Sequence, residues 1–174
     1  ISYEAIAVMI VLIATMASWL MALALHLKPV DFLPLNLSML QYIVFRLLTS
    51  FCGVFGFSIM FNSPVPLAMS AAVIGAISNT LRLELVDLAS FPPAAAAFFA
   101  AMIAGLLASA YKKHSGFPRI AITVPSIVIM VPGLYLYRAI YNLGMMNLSI
   151  SASWFASATL IILALPLGLI FARI

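Results

Sequence analysis

The sequence predicts an all-α integral membrane protein, a bundle of about six transmembrane helices whose fifth is broken at Pro132-Gly133. Three observations carry this. Of the 174 residues, 66% are apolar and only 7% charged, against about a quarter charged in a typical soluble domain. The apolar residues fall in long runs, each close to the ~20 residues a helix needs to cross the hydrocarbon core. A proline–glycine pair stands in the middle of one of those runs.

The first segment runs from about Ala5 to Leu27 and ends at Lys28-Pro29, followed by a loop to Asn36. It is too long for a signal-peptide core and has no basic flank before it, so it reads as a retained helix. The second, from about Ser38 to Phe61, stops at Asn62-Ser63-Pro64. The third, from about Pro66 to Val86, is less apolar and carries Ser70, Ser78, Asn79 and Arg82. Pro92-Pro93 open the fourth, which ends at Tyr111 before Lys112-Lys113-His114. The fifth extends from Arg119 to about Leu143, interrupted by Pro125 and Pro132-Gly133. The sixth spans about Ala152 to Ala172. If all six cross, Lys112, Lys113, Arg119 and Arg173 share a side, with Lys28, Arg82, Asp31, Glu84 and Asp87 opposite. The bias of cytoplasmic loops toward Lys and Arg then places both termini in the cytoplasm.

Composition also restricts function. The net charge of +4 comes from eight basic and four acidic residues without a basic run, so no nucleic-acid partner is expected. Cys52 is the single cysteine, and no Cys or His spacing resembles a metal site. There is no phosphate-binding loop of the G-x-x-x-x-G-K-[ST] type and no cofactor signature. A membrane-embedded enzyme would need clustered acid, base or nucleophile groups, which the sparse polar residues do not supply; no catalytic residue is assigned.

Segment five is the most informative. Proline removes a backbone donor and clashes with the preceding turn, and in hydrocarbon the freed groups need partners in protein or a wet cavity. A helix restarted at Pro132-Gly133 would present N-terminal amides with partial positive charge, the kind of half-helix end that transporters aim at a substrate carboxylate. A packing kink is the alternative. Three arginines bear on the choice. Arg46 lies about seven residues into segment two, roughly 10 Å from its start; Arg82 and Arg138 lie near the ends of segments three and five. By alternating topology all three occupy the same half of the bilayer. Intramembrane arginines face a cavity or a partner, or snorkel to the interface. Arg46 is the deepest and is expected to face the interior or water. With Glu84 and Asp87 as the nearby acids, some of this positive charge is expected to remain available to an anionic ligand.

Gly75, Ser78, Asn79 and Arg82 share one face of segment three, which lines a pore or meets another helix. On segment four Ala96, Ala100, Ala104 and Ala108 form one small-residue row, and Ala97, Ala101, Gly105 and Ser109 a second. Such rows let helix backbones approach closely. Two rows offer more surface than one neighbour uses, so an oligomer is expected.

The run Gly56-Phe-Ser-Ile-Met-Phe-Asn62-Ser-Pro64, followed by Ala71-Ala-Val-Ile-Gly75-Ala-Ile-Ser78 and Arg82, resembles the threonine/serine exporter family, specifically its small membrane half. Val124-Pro125 through Val131-Pro132-Gly133, then Tyr137-Arg138, resembles that half's proline–glycine signature. The resemblance covers roughly Leu40 to the C-terminus. The chain accordingly reads as one transmembrane domain over 1–174, with 1–38 an additional helix and loop and 39–174 the exporter-like core. The resemblance implies a multi-pass protein of the bacterial inner membrane, a subunit of a secondary exporter for threonine- or serine-type amino acids or dicarboxylates such as succinate. It also implies a partner, the larger half, as a separate or fused chain. A subunit that only supports a transporting partner is the competing reading. The residues expected to bind the substrate are Arg46, Arg82, Arg138, Pro132, Gly133, Ser78 and Asn79.

Overall fold

In the computed structural model the described residues are 3–26 and 37–173, without the side chains of Glu4, Ala7, Val8, Val11, Lys113, His114 and Ser115. The expectations for Lys28, Pro29, Asp31 and Asn36, and for the Lys113 and His114 side chains, lie outside them. All regular structure among the described residues is helical: α1 (Tyr3–Ala24), α2 (Met39–Met60), α3 (Val65–Asp87), α4 (Pro93–Ser115), α5 (Arg119–Val128), α6 (Gly133–Gly144) and α7 (Leu148–Phe171). By length and composition α2, α3, α4 and α7 can each cross a membrane alone. α5 and α6, with 10 and 12 residues, reach only ~15–18 Å against a core of ~30 Å. Taken together they have the length and composition of one span broken between Val128 and Gly133, or of a re-entrant loop; the proline–glycine pair predicts the break. α1, 22 residues long with an apolar stretch over Leu12–Ala24, supplies the first of the six segments.

Helix ends follow local chemistry. Ser38 and Gln41 form a reciprocal capping box at the start of α2: the Ser38 N–H donates to Gln41 Oε1 at 2.9 Å, and the Gln41 N–H to Ser38 Oγ at 3.4 Å, satisfying two amides that have no helical partner. Prolines occupy the first turn of α3 and α4, where the missing N–H costs nothing. α4 continues past Tyr111 through Lys112-Lys113-His114, which the sequence reading placed in a loop, and ends at Gly116 in the left-handed region (φ 71°). Basic side chains suit the negative end of a helix, so they do not terminate it; the glycine does.

The chain divides into two compact units, Ile1–Asn36 with Leu134–Phe155, and Leu37–Gly133 with Ala156–Ile174. In the first, Tyr135 meets Trp154 edge-on at 5.3 Å, Ser151 Oγ donates to the Ala139 carbonyl at 2.6 Å, and Gly144 lies against the Trp19 ring, 3.1 Å from where a Cβ would stand.

In the second unit α3 is central, packing on α2, α4 and α5. Leu67 and Ile74 of α3, Ala104 and Ala108 of α4 and Ile122 of α5 form one core cluster; Val54, Ala71 and Ala72 form another between α2 and α3. The second small-residue row of α4 meets α7: a Cβ on Gly105 would come 2.6 Å from Ala172 Cβ, and one on Gly168 would collide with the Phe98 carbonyl. Ala96, Ala97, Ala100, Ala101, Ala104 and Ala108 are all fully buried. Most of both rows is therefore covered within the chain, with Ser109 half-buried. Arg119 reaches past Gly105 to donate to the carbonyls of Leu169 (3.3 Å) and Ala172 (3.0 Å), placing a cation at the negative end of α7.

Candidate functional site

The polar groups of the second unit concentrate along the α2–α3 seam. On α2, Arg46, Ser50, Val54 and Ser58 recur every four residues, so they lie on one face; Ser50, Val54 and Ser58 are buried there. On α3, Asn79 bridges the two helices: its amide donates to Ser50 Oγ at 2.9 Å, and its Oδ1 accepts from Arg82 Nε at 3.0 Å. One turn toward the end of the seam, Arg46 donates from one terminal nitrogen to Glu84 Oε1 at 2.8 Å and from the other to Asp87. Tyr42 lies under the guanidinium, its ring centre 5.6 Å from the central carbon. Arg46 and Glu84 are about one-fifth exposed and Asp87 half exposed (20%, 19% and 50%).

These residues open on a cleft of about 460 Å³, walled by Leu37, Met39 and Leu88 beside Tyr42, Arg46, Glu84 and Asp87. Among the described residues the charged side chains lining it are one guanidinium and two carboxylates, a formal sum of −1 for the lining, with the Arg82 guanidinium elsewhere on the same seam. Arg46 does face a cavity, as its depth suggests. Its charge, however, is not uncompensated: both nearby acids converge on it. Where the sequence predicts free positive charge, both acids pair with Arg46, and the described lining of the cleft is of mixed sign. Glu84 and Asp87 are three residues apart, hence on one helix face, and that spacing was the available signal for a shared partner.

Deeper along the seam the character changes. Val54 is fully buried, and a Cβ on Gly75 would sit 2.7 Å from its Cγ2 and 2.9 Å from the Ser126 carbonyl oxygen. The single hydroxyl hydrogen of Ser126 is shared between two acceptors within reach of its Oγ, the Ala71 carbonyl across the crossing at 3.0 Å and the Ile122 carbonyl of its own helix at 2.7 Å. α2, α3 and α5 thus meet at a dry, close crossing below the charged cleft.

The chain's likeness to known proteins agrees with this architecture. The family model for the threonine/serine exporter, ThrE, matches residues 46–174, well over half of the chain. The chain belongs to the threonine/serine exporter family. An uncharacterised protein of Haemophilus influenzae is 30% identical over 133 residues, covering 68% of this chain and 44% of that protein. The exporter-family chain thus spans less than half the length of this relative. No solved structure matches it.

Within this exporter-family chain the residues expected at the substrate site are distributed as follows. Arg46, Asn79 and Arg82 lie together along the α2–α3 seam of the second unit. Ser78 is fully buried on α3, its hydroxyl without a hydrogen-bond partner among the described residues. Pro132 is buried and Gly133 exposed where α6 begins, with the Gly133 N–H turned back to the Val131 carbonyl at 2.8 Å. Arg138 belongs to the first unit, where its guanidinium lies 4.7 Å from the Trp154 ring centre. Ser50, Tyr42, Glu84 and Asp87 complete the seam and were not among the expected site residues. Ser50 carries no distinguishing signal, being one of several helical serines.

Proposed function

We propose that this chain is a membrane subunit of an exporter that moves threonine- and serine-type amino acids out across the bacterial inner membrane. The observation that carries the proposal is the charged cleft on the α2–α3 seam of a family member whose match begins at Arg46. A chain of apolar helices has little reason to keep ionised groups in a span except to meet a polar cargo or a partner charge. Among the carboxylate-bearing cargoes that the sequence admits, the excess negative charge favours amino acids over dianions such as succinate, which two carboxylates would repel. The chain works with a larger partner half, a reading supported by the greater length of the Haemophilus influenzae relative.

The test is accumulation in bacteria that possess or lack this chain, with the partner present in both. Cells loaded with a threonine-containing dipeptide should hold less threonine and release it faster when the chain is present, with a much smaller effect on succinate. Equal release with and without the chain would sink the proposal. Release by the partner alone would mark the chain as a supporting subunit.

A further inference from the structure

We infer that the cleft formed by Arg46, Glu84, Asp87 and Tyr42 is a zwitterion site, in which the cargo's ammonium takes Asp87 and its carboxylate takes Arg46. This rests on the amino-acid exporter reading and adds the residues and the charge requirement.

The geometry points there in three steps. The first is unequal charge. One guanidinium faces two carboxylates, and Asp87, at 50% exposed, is the more accessible of the two. A partly desolvated cleft whose described lining sums to −1 attracts a cation, because Coulomb energy rises as the effective dielectric falls below that of bulk water. An ammonium meets that requirement. The second is unused donor capacity. A guanidinium carries five N–H donors, and Arg46 commits one terminal nitrogen to Glu84 and the other to Asp87. Further N–H groups have no partner among the described residues, and a guanidinium edge grips a carboxylate through two parallel bonds. When an ammonium draws Asp87 away, Arg46 keeps Glu84 and gains the cargo carboxylate. The third is fit. The cleft of about 460 Å³ has Leu37, Met39 and Leu88 beside the charges, an apolar wall for a short side chain such as threonine's, and Asp87 is the most exposed of its charged groups.

Recognition of this kind demands both charges on one small molecule. 3-Hydroxybutyrate, which is threonine without its ammonium, offers only the carboxylate, and threonine methyl ester only the ammonium. Each forms half of the contacts.

The experiment measures equilibrium binding of radiolabelled threonine to the protein purified from its own membranes together with the chains that accompany it. Asp87→Asn leaves the Arg46–Glu84 pair intact and balanced, so folding is preserved, and removes only the excess charge. Loss of one charge-assisted contact in a partly wet site should raise the dissociation constant about tenfold. Asp87→Glu should restore most of the affinity, and Lys112→Gln, on an exposed position of α4, should leave it unchanged. 3-Hydroxybutyrate and threonine methyl ester should each compete at least about tenfold more weakly than threonine. Wild-type-like binding by Asp87→Asn, or equal competition by either single-charge analogue, overturns the zwitterion site while leaving chain-dependent export in place. If cells with and without the chain release threonine equally, the underlying exporter reading fails instead.

Discussion

The two ends of the α2–α3 seam are built on opposite plans. At the charged end Arg46 spans two carboxylates beside a cleft, and Asn79 stitches Ser50 to Arg82. At the deep end Val54, Gly75 and the Ser126 carbonyl leave no room for one extra carbon. Directional polar contacts can be exchanged for contacts to a cargo at small net cost, because a hydrogen bond lost to one partner is remade with another. Close packing has no such substitute: atoms that separate in a dry crossing lose their dispersion contacts outright. The contrast teaches where rearrangement can occur. Exchange of contacts is cheaper at the charged end than at the deep end.

The largest effect is expected from added bulk at the deep end. Gly75→Val should destabilise the protein by about 3 kcal/mol, the upper range of overpacking costs, since the Ser126 oxygen belongs to the backbone and cannot rotate aside. A large fall in melting temperature and in membrane abundance is expected; a variant that is as abundant and as stable as wild type would show that the crossing is loose. A smaller effect is expected at the junction of the two plans. Asn79→Ala removes the acceptor of Arg82 Nε and the donor to Ser50, and should cost about 1–2 kcal/mol. The double variant Ser50→Ala, Asn79→Ala should lose less than the sum of the single losses, because both remove one shared bond. Strict additivity would mean the bridge contributes nothing. The smallest effect belongs to Ser78, whose hydroxyl is buried without a partner among the described residues. Replacing an unpaired buried hydroxyl by hydrogen removes a desolvation penalty rather than a bond, so Ser78→Ala should leave stability unchanged or slightly raised, and binding unaffected. A clear loss of threonine affinity would assign Ser78 to the cargo site and sharpen the boundary between the two plans.

The helices were legible because membrane spans declare themselves locally. Run length marks α2, α3, α4 and α7, and the missing proline donor marks the break between α5 and α6. The small-residue rows of α4 were equally visible as packing faces, yet their neighbours were not. Nothing in Ala97, Ala101 and Gly105 says that α7 lies over them, so the inference ran to a second chain. The site was harder for the same reason. Arg46 announces itself by its depth, but which acids reach it depends on the register of two helices whose partners are 38 and 41 residues apart. Counting charges along the sequence identified Glu84 and Asp87 as neighbours without showing that both turn onto one arginine. Asn79 was marked by its polarity; Ser50, its partner 29 residues away, was not.

Gly105 has a bearing on how variants at the far corner of the second unit should be interpreted. The space that its missing side chain leaves is occupied by a guanidinium on its way to the last carbonyls of α7. A single methyl there would wedge α4 from α7 and, in the same displacement, pull Arg119 from the carbonyls of Leu169 and Ala172. Steric and electrostatic injury at this corner share one coordinate. A conservative replacement of Gly105 would therefore behave like an arginine deletion, and a screen that classed it as a packing mutant would misassign its cause.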